Sequence, residues 1–369
     1  MTVFFITVFT IYFLFLTLLI VGWRISSEQS PNQHRFYFLS VVIPFRNEEK
    51  NLPTLIDTLR KLDYPKDRFE ILLIDDHSTD RSGMIAKQLT GNLPNFKIIS
   101  ASSAGKKLAI AQGVEVSRGE IIVTTDADCE LPVQWLKSIN KQFQNQSINM
   151  LVGAVRSKSD ATFFSKLQTT EFSSLIGSAA ATLNLGFPTM CNGANLSYTK
   201  ESFNEVNGFQ GNEHIASGDD EFLMRKIVKK FGAKSLKFLR DPNAVVTTNP
   251  QSSLKDFLTQ RFRWAGKWSR NSSWVTKALA VFILLFQLSW LVALGSLFFP
   301  SSNYTPFALV GVKVLMEGFF LLMISKFMRQ QFSLAAFLLL QIVYPIYAIC
   351  VGLFSTVVPV SWKERSIPN

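Results

Sequence analysis

Asp126-Ala127-Asp128 is the segment whose residue types and spacing most directly suggest chemistry. Two carboxylates one residue apart, just after a strand, can share one hard divalent cation, and Mg2+ takes oxygen ligands and often keeps some from a phosphate substrate. Alone, such a pair is more often a solvated turn. Here it follows a β-type run and is joined by a second carboxylate pair, Asp75-Asp76. Ser217-Gly218-Asp219-Asp220-Glu221-Phe222 reads in two ways: acids suit the first turn of a helix electrostatically, and the same acids can aim a general base into a cleft. Gly105-Lys106-Lys107 at a helix start is either an anion site or a basic solvated turn. Thr189–Thr199 (TMCNGANLSYT) reads as a turn entering a strand, with Gly193 allowing close backbone approach.

Ser253–Arg270 adds a geometric signal. Ser253-x-x-Asp256 resembles a capping box. At about 100° per residue, Leu254, Phe257, Leu258, Phe262, Ala265 and Trp268 gather on one face. Gln260, Arg263, Trp264 and Lys267 gather on the other. One face suits a bilayer surface and the other an active site. A basic amphipathic helix beside a span can also be a plain interface anchor. Trp stacks on sugar rings and Arg neutralises phosphate, so the second face favours more than anchoring.

The elements that position these residues alternate. Leu39–Phe45 (LSVVIPF) reads as a buried strand, followed by Arg46-Asn47-Glu48-Glu49 with Asn47 as helix N-cap and a helix to about Lys61. Phe69–Ile74 is a strand ending in Asp75-Asp76, and a helix starts near Asp80. Ile98–Ile99 is a short strand, Ala104–Val116 a helix, and Ile121–Thr124 a strand ending in the Asp-Ala-Asp. This alternation implies a parallel α/β sheet, in which ligands bind at the carboxyl ends of the strands. A P-loop sequence and a G-x-G-x-x-G opening the first helix are both missing, which argues against those nucleotide-binding classes.

The chain has 369 residues, 47% hydrophobic, with 33 Phe and a formal net charge of +11 from 38 Lys+Arg against 27 Asp+Glu. Its mean hydropathy is +0.18. That excludes disordered and collagen-like classes and exceeds one small module. The basic balance suits nucleic acid, anionic lipid or a phosphorylated ligand. Residues 1–23 carry no charged side chain and are long enough to span a bilayer, which reads as an uncleaved anchor rather than a secretory signal. Further apolar helices are expected at about 277–299 and 306–325, with Glu317 inside the second and Lys313 one turn away as its partner. A last run, 330–362, contains Pro345 and reads as a kinked span or a re-entrant element. Arg24, His34 and Arg35 follow the first span; Lys267, Arg270 and Lys277 precede the second; Lys326 and Arg329 follow the third. The positive-inside rule therefore puts 24–276 in the cytoplasm and the 300–305 turn outside. Four spans would leave the tail outside, although it carries Lys363 and Arg365. The widely separated Cys129, Cys191 and Cys350 form neither a metal-ligand spacing nor an obvious disulfide framework, as suits a reducing compartment.

Taken together, VVIPFRNEE at 41–49, IDDHSTD at 74–80, TDAD at 125–128, GDDEF at 218–222 and QRFRW at 260–264 resemble the family 2 glycosyltransferases of GT-A fold, in their membrane-integrated branch. The motifs occur in the family's order over about residues 39–270. The resemblance implies an α/β GT-A nucleotide-diphospho-sugar transferase domain with flanking transmembrane helices: anchor 1–23, cytoplasmic domain 24–250, interfacial helix 251–276, membrane bundle 277–362 and tail 363–369. It implies a nucleotide pocket shaped by Pro44, Arg46 and Glu48, a base bound by Asp76, and Lys106 near the nucleotide. Asp126 would lie near ribose and pyrophosphate, and Asp128, with Asp126, would hold Mg2+ or Mn2+. Asn192 and Gly193 would line the sugar pocket. Asp220 would be the general base, and Gln260, Arg263 and Trp264 would hold donor diphosphate and acceptor. The implied reaction is inverting transfer from a UDP-sugar to a lipid or short glycan at the cytoplasmic face of a membrane, a bacterial inner membrane being the expected setting. The alternative is a processive β-polysaccharide synthase that exports its product. Membrane lipids are expected partners and nucleic acid is not; association of chains would be needed for a wide channel.

Overall fold

The computed structural model describes residues 2–25, 35–211, 218–266, 274–298, 304–355, 360–362 and 365–367. His34, Ser217, Lys267, Trp268, Arg270, Lys363 and most of the 300–305 turn fall outside the described residues. The chain divides into two compact units, one of residues 26–158 and 182–249, the other of residues 1–25, 159–181 and 250–369. In chain order the helices are α1 Thr2–Arg24, α2 Leu52–Arg60, α3 Ser82–Thr90, α4 Lys106–Val116, α5 Trp135–Phe143, α6 Phe163–Asn184, α7 Lys200–Glu205, α8 Asp219–Phe231, α9 Leu254–Ala265, α10 Trp274–Ser296, α11 Thr305–Phe327 and α12 Leu334–Phe354. The strands are β1 Leu39–Phe45, β2 Phe69–Asp75, β3 Phe96–Ser100, β4 Ile121–Thr124, β5 Cys129–Glu130, β6 Met150–Gly153, β7 Val155–Ser157, β8 Leu196–Thr199, β9 Leu236–Leu239, β10 Val246–Thr248, β11 Val360–Trp362 and β12 Arg365–Ile367.

In the first unit the main sheet runs β3-β2-β1-β4-β8-β6-β9, with a small sheet β5-β10-β7. The first four strands are parallel. β8 is antiparallel to both its neighbours, so the sheet is mixed, which corrects the expectation of a parallel one. Strands covered on both faces must be apolar throughout. Leu39, Val41, Val42, Ile43 and Ile71–Ile74 are accordingly fully buried. Two buried polar residues, Ser40 and Glu70, face each other in the β1–β2 register. Glu70 accepts from Ser40 Oγ at 2.7 Å, Arg118 N at 2.6 Å and Arg118 Nε at 3.1 Å, and it pairs with Lys97 at 3.3 Å. These contacts tie together the amino ends of the strands.

Chain order departs from β1 in both directions, β2 and β3 on one side and β4 on the other, so the switch point lies between β1 and β4. Pairing of β1 with β4 stops at Val42–Thr124. Pro44, which has no N–H to give a ladder, stands beyond that last pair. The switch-point rule thus points to the carboxyl end of β1 and the acidic turn after β4 as the place for a ligand.

Asn47 is not the N-cap of a helix. Its backbone is left-handed, φ 51°, and α2 begins five residues later with Asn51 in front of it. The Asn47 side chain instead accepts from Thr79 N at 2.9 Å.

In the second unit, α1, α10, α11 and α12 are each long and apolar enough to cross a membrane. Trp23 meets Phe327 and Tyr12 meets Glu317, so α1 and α11 run parallel. Phe9 meets Trp290 while Phe15 meets Phe282, so α10 runs the other way. Buried ionisable groups in such a bundle need partners. Glu317 pairs with Lys313 at 3.0 Å, as its position suggested, and also accepts from Tyr12 and from Gln341 Nε2 at 3.1 Å. Lys313 donates to Gln341 Oε1 at 2.6 Å and lies 4.0 Å from the Trp290 ring. Pro345 lacks the N–H that would bond the carbonyl four residues earlier. That carbonyl is Gln341 O, and Trp290 Nε1 donates to it at 2.7 Å.

The last apolar run is not one span to residue 362. Its helix ends at Phe354, and β11 and β12 form a short antiparallel hairpin beyond it. The 251–276 segment is likewise not one helix: α9 ends at Ala265 and α10 starts at Trp274. Ser253 does cap α9, its Oγ accepting from Asp256 N at 3.1 Å. The expected apolar face is split. Leu254 is 60% exposed while Phe257 is buried against Phe164 and Tyr347. The other buried residue of α9 is a charged one, Arg261.

Candidate active site

The loops after β1 and β2 are stitched to each other. Arg46 donates to Asp76 O at 3.1 Å and to His77 O. Glu48 N donates to Ser82 Oγ at 2.7 Å and Glu49 N to Asp80 Oδ2 at 3.2 Å. The Glu48 carboxylate accepts from Asn51 Nδ2 at 2.6 Å. Asp76 is fully buried, and its Oδ1 accepts from Gly105 N at 2.9 Å. The turn that starts α4 is thereby fixed, with Gly105 at φ 127°, a conformation that only glycine adopts without strain.

α4 delivers Lys106 to the acids. Its ammonium lies 2.7 Å from Asp126 Oδ1 and 3.3 Å from Asp219 Oδ2. Burial disfavours the charged lysine, but Asp126 and then Asp219 outweigh it, and the pKa is pushed above the ordinary lysine value. Asp126 and Asp128 remain partly exposed while Ala127 between them is buried. Asp128 Oδ2 is 3.4 Å from Thr248 Oγ1 on β10. The neighbouring Cys129 thiol is held well above its usual pKa by burial and then by the Asp128 and Asp126 charges.

The third group is α8. Gly218 at φ 82° precedes it, and Asp219, Asp220 and Glu221 form its first turn. Asp220 Oδ2 accepts from Gly193 N at 3.1 Å and Oδ1 from Glu221 N at 2.7 Å. Gly193 gives the close approach its sequence context suggested: a Cβ there would stand 3.1 Å from Asp219 Oδ2 and 3.6 Å from Lys106 Nζ. The Gly193 turn is locked from behind. Thr124 Oγ1 donates to Gly193 O at 3.0 Å. Asn195 accepts from Trp135 Nε1 at 3.0 Å and donates to Ala154 O and Ala244 O, each at 2.8 Å. Asn192 spends its side-chain oxygen capping Ala194 N at 3.0 Å.

Lys106, Asp126, Gly193, Asp219 and Asp220 thus form one cluster, with Asp128 two residues from Asp126 and the Arg46–Asp76 stitching reaching it through Gly105. Asp219 was not singled out from Asp220 by sequence, yet it is the one that meets Lys106. Gln260, Arg263 and Trp264 lie on α9, in the other unit. Trp264 packs beside Phe172, ring centroids 6.1 Å apart, and under Arg261. Sequence reasoning also missed Arg261 and its partners Glu171 and Tyr347, which are far apart in the chain and follow no recognisable spacing.

Asp126 and Asp128 offer hard carboxylate oxygens, the donor type that Mg2+ and Mn2+ take. Among the described residues no group of three His, Cys, Asp or Glu side chains gathers to hold an ion. Two carboxylates are the donor type such a cation takes, and they alone would leave most of its positions to water or to a phosphate-bearing ligand.

The family model described as glycosyl transferase family 2 matches residues 40–231. A β-monoglucosyldiacylglycerol synthase of Synechocystis sp. is 31% identical over 114 residues, 30% of this chain and 24% of that protein. A dolichyl N-acetyl-α-D-glucosaminyl phosphate 3-β-D-2,3-diacetamido-2,3-dideoxy-β-D-glucuronosyltransferase of Methanococcus voltae is 24% identical over 273 residues, 71% of this chain and 79% of that protein. The chain spans only 24% to 39% of the first curated relatives it matches. In structure, the mannosyltransferase PcManGT of Pyrobaculum calidifontis, in complex with GDP-Man and Mn2+, aligns over 99% of both chains with a TM-score of 0.59 at 14% identity, a likeness of fold.

Proposed function

Since this chain belongs to glycosyl transferase family 2, we propose that it transfers a sugar from a nucleotide-sugar, a UDP-sugar, to a lipid or short glycan at the cytoplasmic membrane face, with inversion. The observation that carries this reading is the Lys106–Asp126–Asp219–Asp220–Gly193 cluster at the fold's switch point. The lipid acceptor is supported by the four apolar helices and by the relatives' activities on lipid-linked substrates.

In this reading Asp220 accepts the proton of the acceptor hydroxyl. The oxygen attacks the anomeric carbon from the face opposite the diphosphate, whose bond to that carbon breaks, so an α-linked donor gives a β-linked product. The Gly193 N–H holds the Asp220 carboxylate in orientation, and the Thr124 and Asn195 contacts hold Gly193. Lys106 supplies positive charge to the departing diphosphate, and the Q-x-x-R-W pattern assigns Arg263 the same task. Asp126 and Asp128 would hold a divalent cation, Mg2+ or Mn2+, that supplies further charge to the same group. Pro44, Arg46, Glu48 and Asp76 shape the nucleotide end. Asp76 is buried and its Oδ1 holds the Gly105 N–H, so it also fixes the turn that presents Lys106. Asn192 and Gly193 border the sugar, and Gln260 and Trp264 serve the acceptor.

The test is UDP release by membranes carrying the protein, with UDP-glucose, UDP-GlcNAc and UDP-galactose, and mass spectrometry of the products. Asp220→Asn should lower turnover by about 10²- to 10⁴-fold, the usual worth of a general base. Turnover by Asp220→Asn equal to the parent, or no turnover with any donor, overturns the reading. A single-sugar glycolipid excludes the processive alternative.

A further inference from the structure

Arg261 is the charged residue buried in α9, between Gln260 on one side and Arg263-Trp264 on the other. The residue is 6% exposed. Its Nε donates to Glu171 Oε1 at 3.0 Å, and one terminal nitrogen donates to Glu171 Oε2. Tyr347 donates its hydroxyl to the same Glu171 Oε1 at 2.6 Å. The other terminal nitrogen donates to Gln260 Oε1. The Phe257 and Trp264 rings each lie with their centroids 4.4 Å from the guanidinium carbon. Three helices meet here: α6 brings Glu171, α9 brings Arg261 and α12 brings Tyr347.

A buried ion pair is weak evidence for stability, since desolvation offsets much of its attraction. The distribution of the guanidinium's contacts is more telling. A planar fork can hold a carboxylate with two N–H groups and still reach a third acceptor, whereas an ammonium is a point charge. Two of its directions anchor it to Glu171. What remains is aimed at two side chains of the Q-x-x-R-W pattern. The bond to Gln260 Oε1 settles which end of that amide faces the arginine and turns its NH2 away. The guanidinium over Trp264 fixes the ring from one face, and Phe172 flanks it. Helical spacing makes this natural, since 257, 261 and 264 lie along one stripe.

We propose that Arg261, anchored by Glu171 and Tyr347, is a positioning residue that sets the amide of Gln260 and the ring of Trp264 for sugar transfer. The inference rests on the function proposed above, and its test contains an arm that does not depend on activity. Full-length protein in phosphatidylethanolamine–phosphatidylglycerol vesicles is compared as wild type, Arg261→Lys, Arg261→Met and Glu171→Gln. Folded yield is read from thermal melting, transfer from UDP release at varied donor, and the Trp264 ring from the emission lost on Trp264→Phe in each background. Arg261→Lys keeps the charge beside Glu171 but not the fork. It should fold, leave donor KM within about threefold, and lower kcat by on the order of tenfold or more, as small displacements at a reacting centre do. Arg261→Met and Glu171→Gln should alter the Trp264 emission. Wild-type kcat in folded Arg261→Lys overturns the proposal, as does an unchanged Trp264 emission in every folded variant. If the wild type transfers no sugar at all, the proposed function fails, and the emission arm alone decides whether Arg261 orders Trp264. Should Arg261→Met not fold, Arg261→Lys and Glu171→Gln decide it in the same way.

Discussion

Lys106 holds its charge between Asp126 and Asp219, and both carboxylates keep it protonated. A pKa raised in the folded state means that the pair's contribution to stability is fully present below the unfolded lysine value and is lost only as pH climbs through the folded one. Lys106 therefore stays charged across the working range. Lys106→Met should reduce kcat/KM by about 10- to 100-fold, equivalent to roughly 1.5–3 kcal/mol for a hydrogen bond to a charged group. The loss should be the same at about pH 6 and about pH 9, and turnover of both proteins at the two pH values checks it; a deficit that disappears at the higher pH would mean that Lys106 titrates. Gly193→Ala tests the turn beside it. A methyl 3.1 Å from Asp219 Oδ2 needs the neighbours to give by a few tenths of an ångström. Melting should stay near the parent while kcat falls by on the order of tenfold. At this scale the acids were legible because they stand at strand ends. The role of Asp219 was not, because adjacent acids at a helix start differ only in where the helix points them.

Among the elements, β1, β2 and β4 were legible because a strand covered on both faces can only be a continuous apolar run. The start of α2 was not, since the left-handed Asn47 is held by Thr79, a residue from another loop. The side of α9 that packs on protein was not legible either: it is set by α6 and α12, and Glu171 makes a charged position, Arg261, a buried one. Two predictions belong here. Glu70 is held below the usual glutamate pKa: burial opposes this, and bonds from Arg118, Ser40 and Lys97 override it. A depressed folded pKa contributes stability that is present above the unfolded value and lost as pH falls through the folded one. Glu70→Gln should thus destabilise the domain by about 1–3 kcal/mol near pH 7, with the deficit shrinking under acid, as denaturation at several pH values would report. The second concerns Pro345. Trp290→Phe leaves the Gln341 carbonyl without its indole donor, at a cost of about 1 kcal/mol in a membrane protein. In a Pro345→Ala background the residue-345 N–H can take that bond, so the same substitution should cost less. Additive effects in the double-mutant cycle would count against this account.

For the whole molecule, the length and apolar runs were enough to read four spans around an α/β domain, and all four helices are present. What the sequence could not supply is how the spans hold one another. Glu317 was legible as a partner of Lys313, but Tyr12 and Gln341 come from helices far away in the chain. The first span is thereby tied into the bundle by a hydrogen bond as well as by the Phe9 and Tyr12 ring contacts with Phe286. Tyr12→Phe should weaken that tie by about 0.6–1.7 kcal/mol, measurable as earlier unfolding in detergent; no change would mean that ring packing alone retains α1.

The helix directions have an electrical consequence. α1 and α11 are parallel and α10 opposes them, while α12 begins just after α11 ends. Arg24, Lys277, Lys326 and Arg329 therefore gather at a single end of the bundle. Turning the bundle over in an energised membrane would carry that charge across the voltage, at about 2.3 kcal/mol per elementary charge per 100 mV. A potential negative on the side of the basic end holds the protein in place like a latch, and the hold should weaken in cells whose potential has been collapsed during insertion.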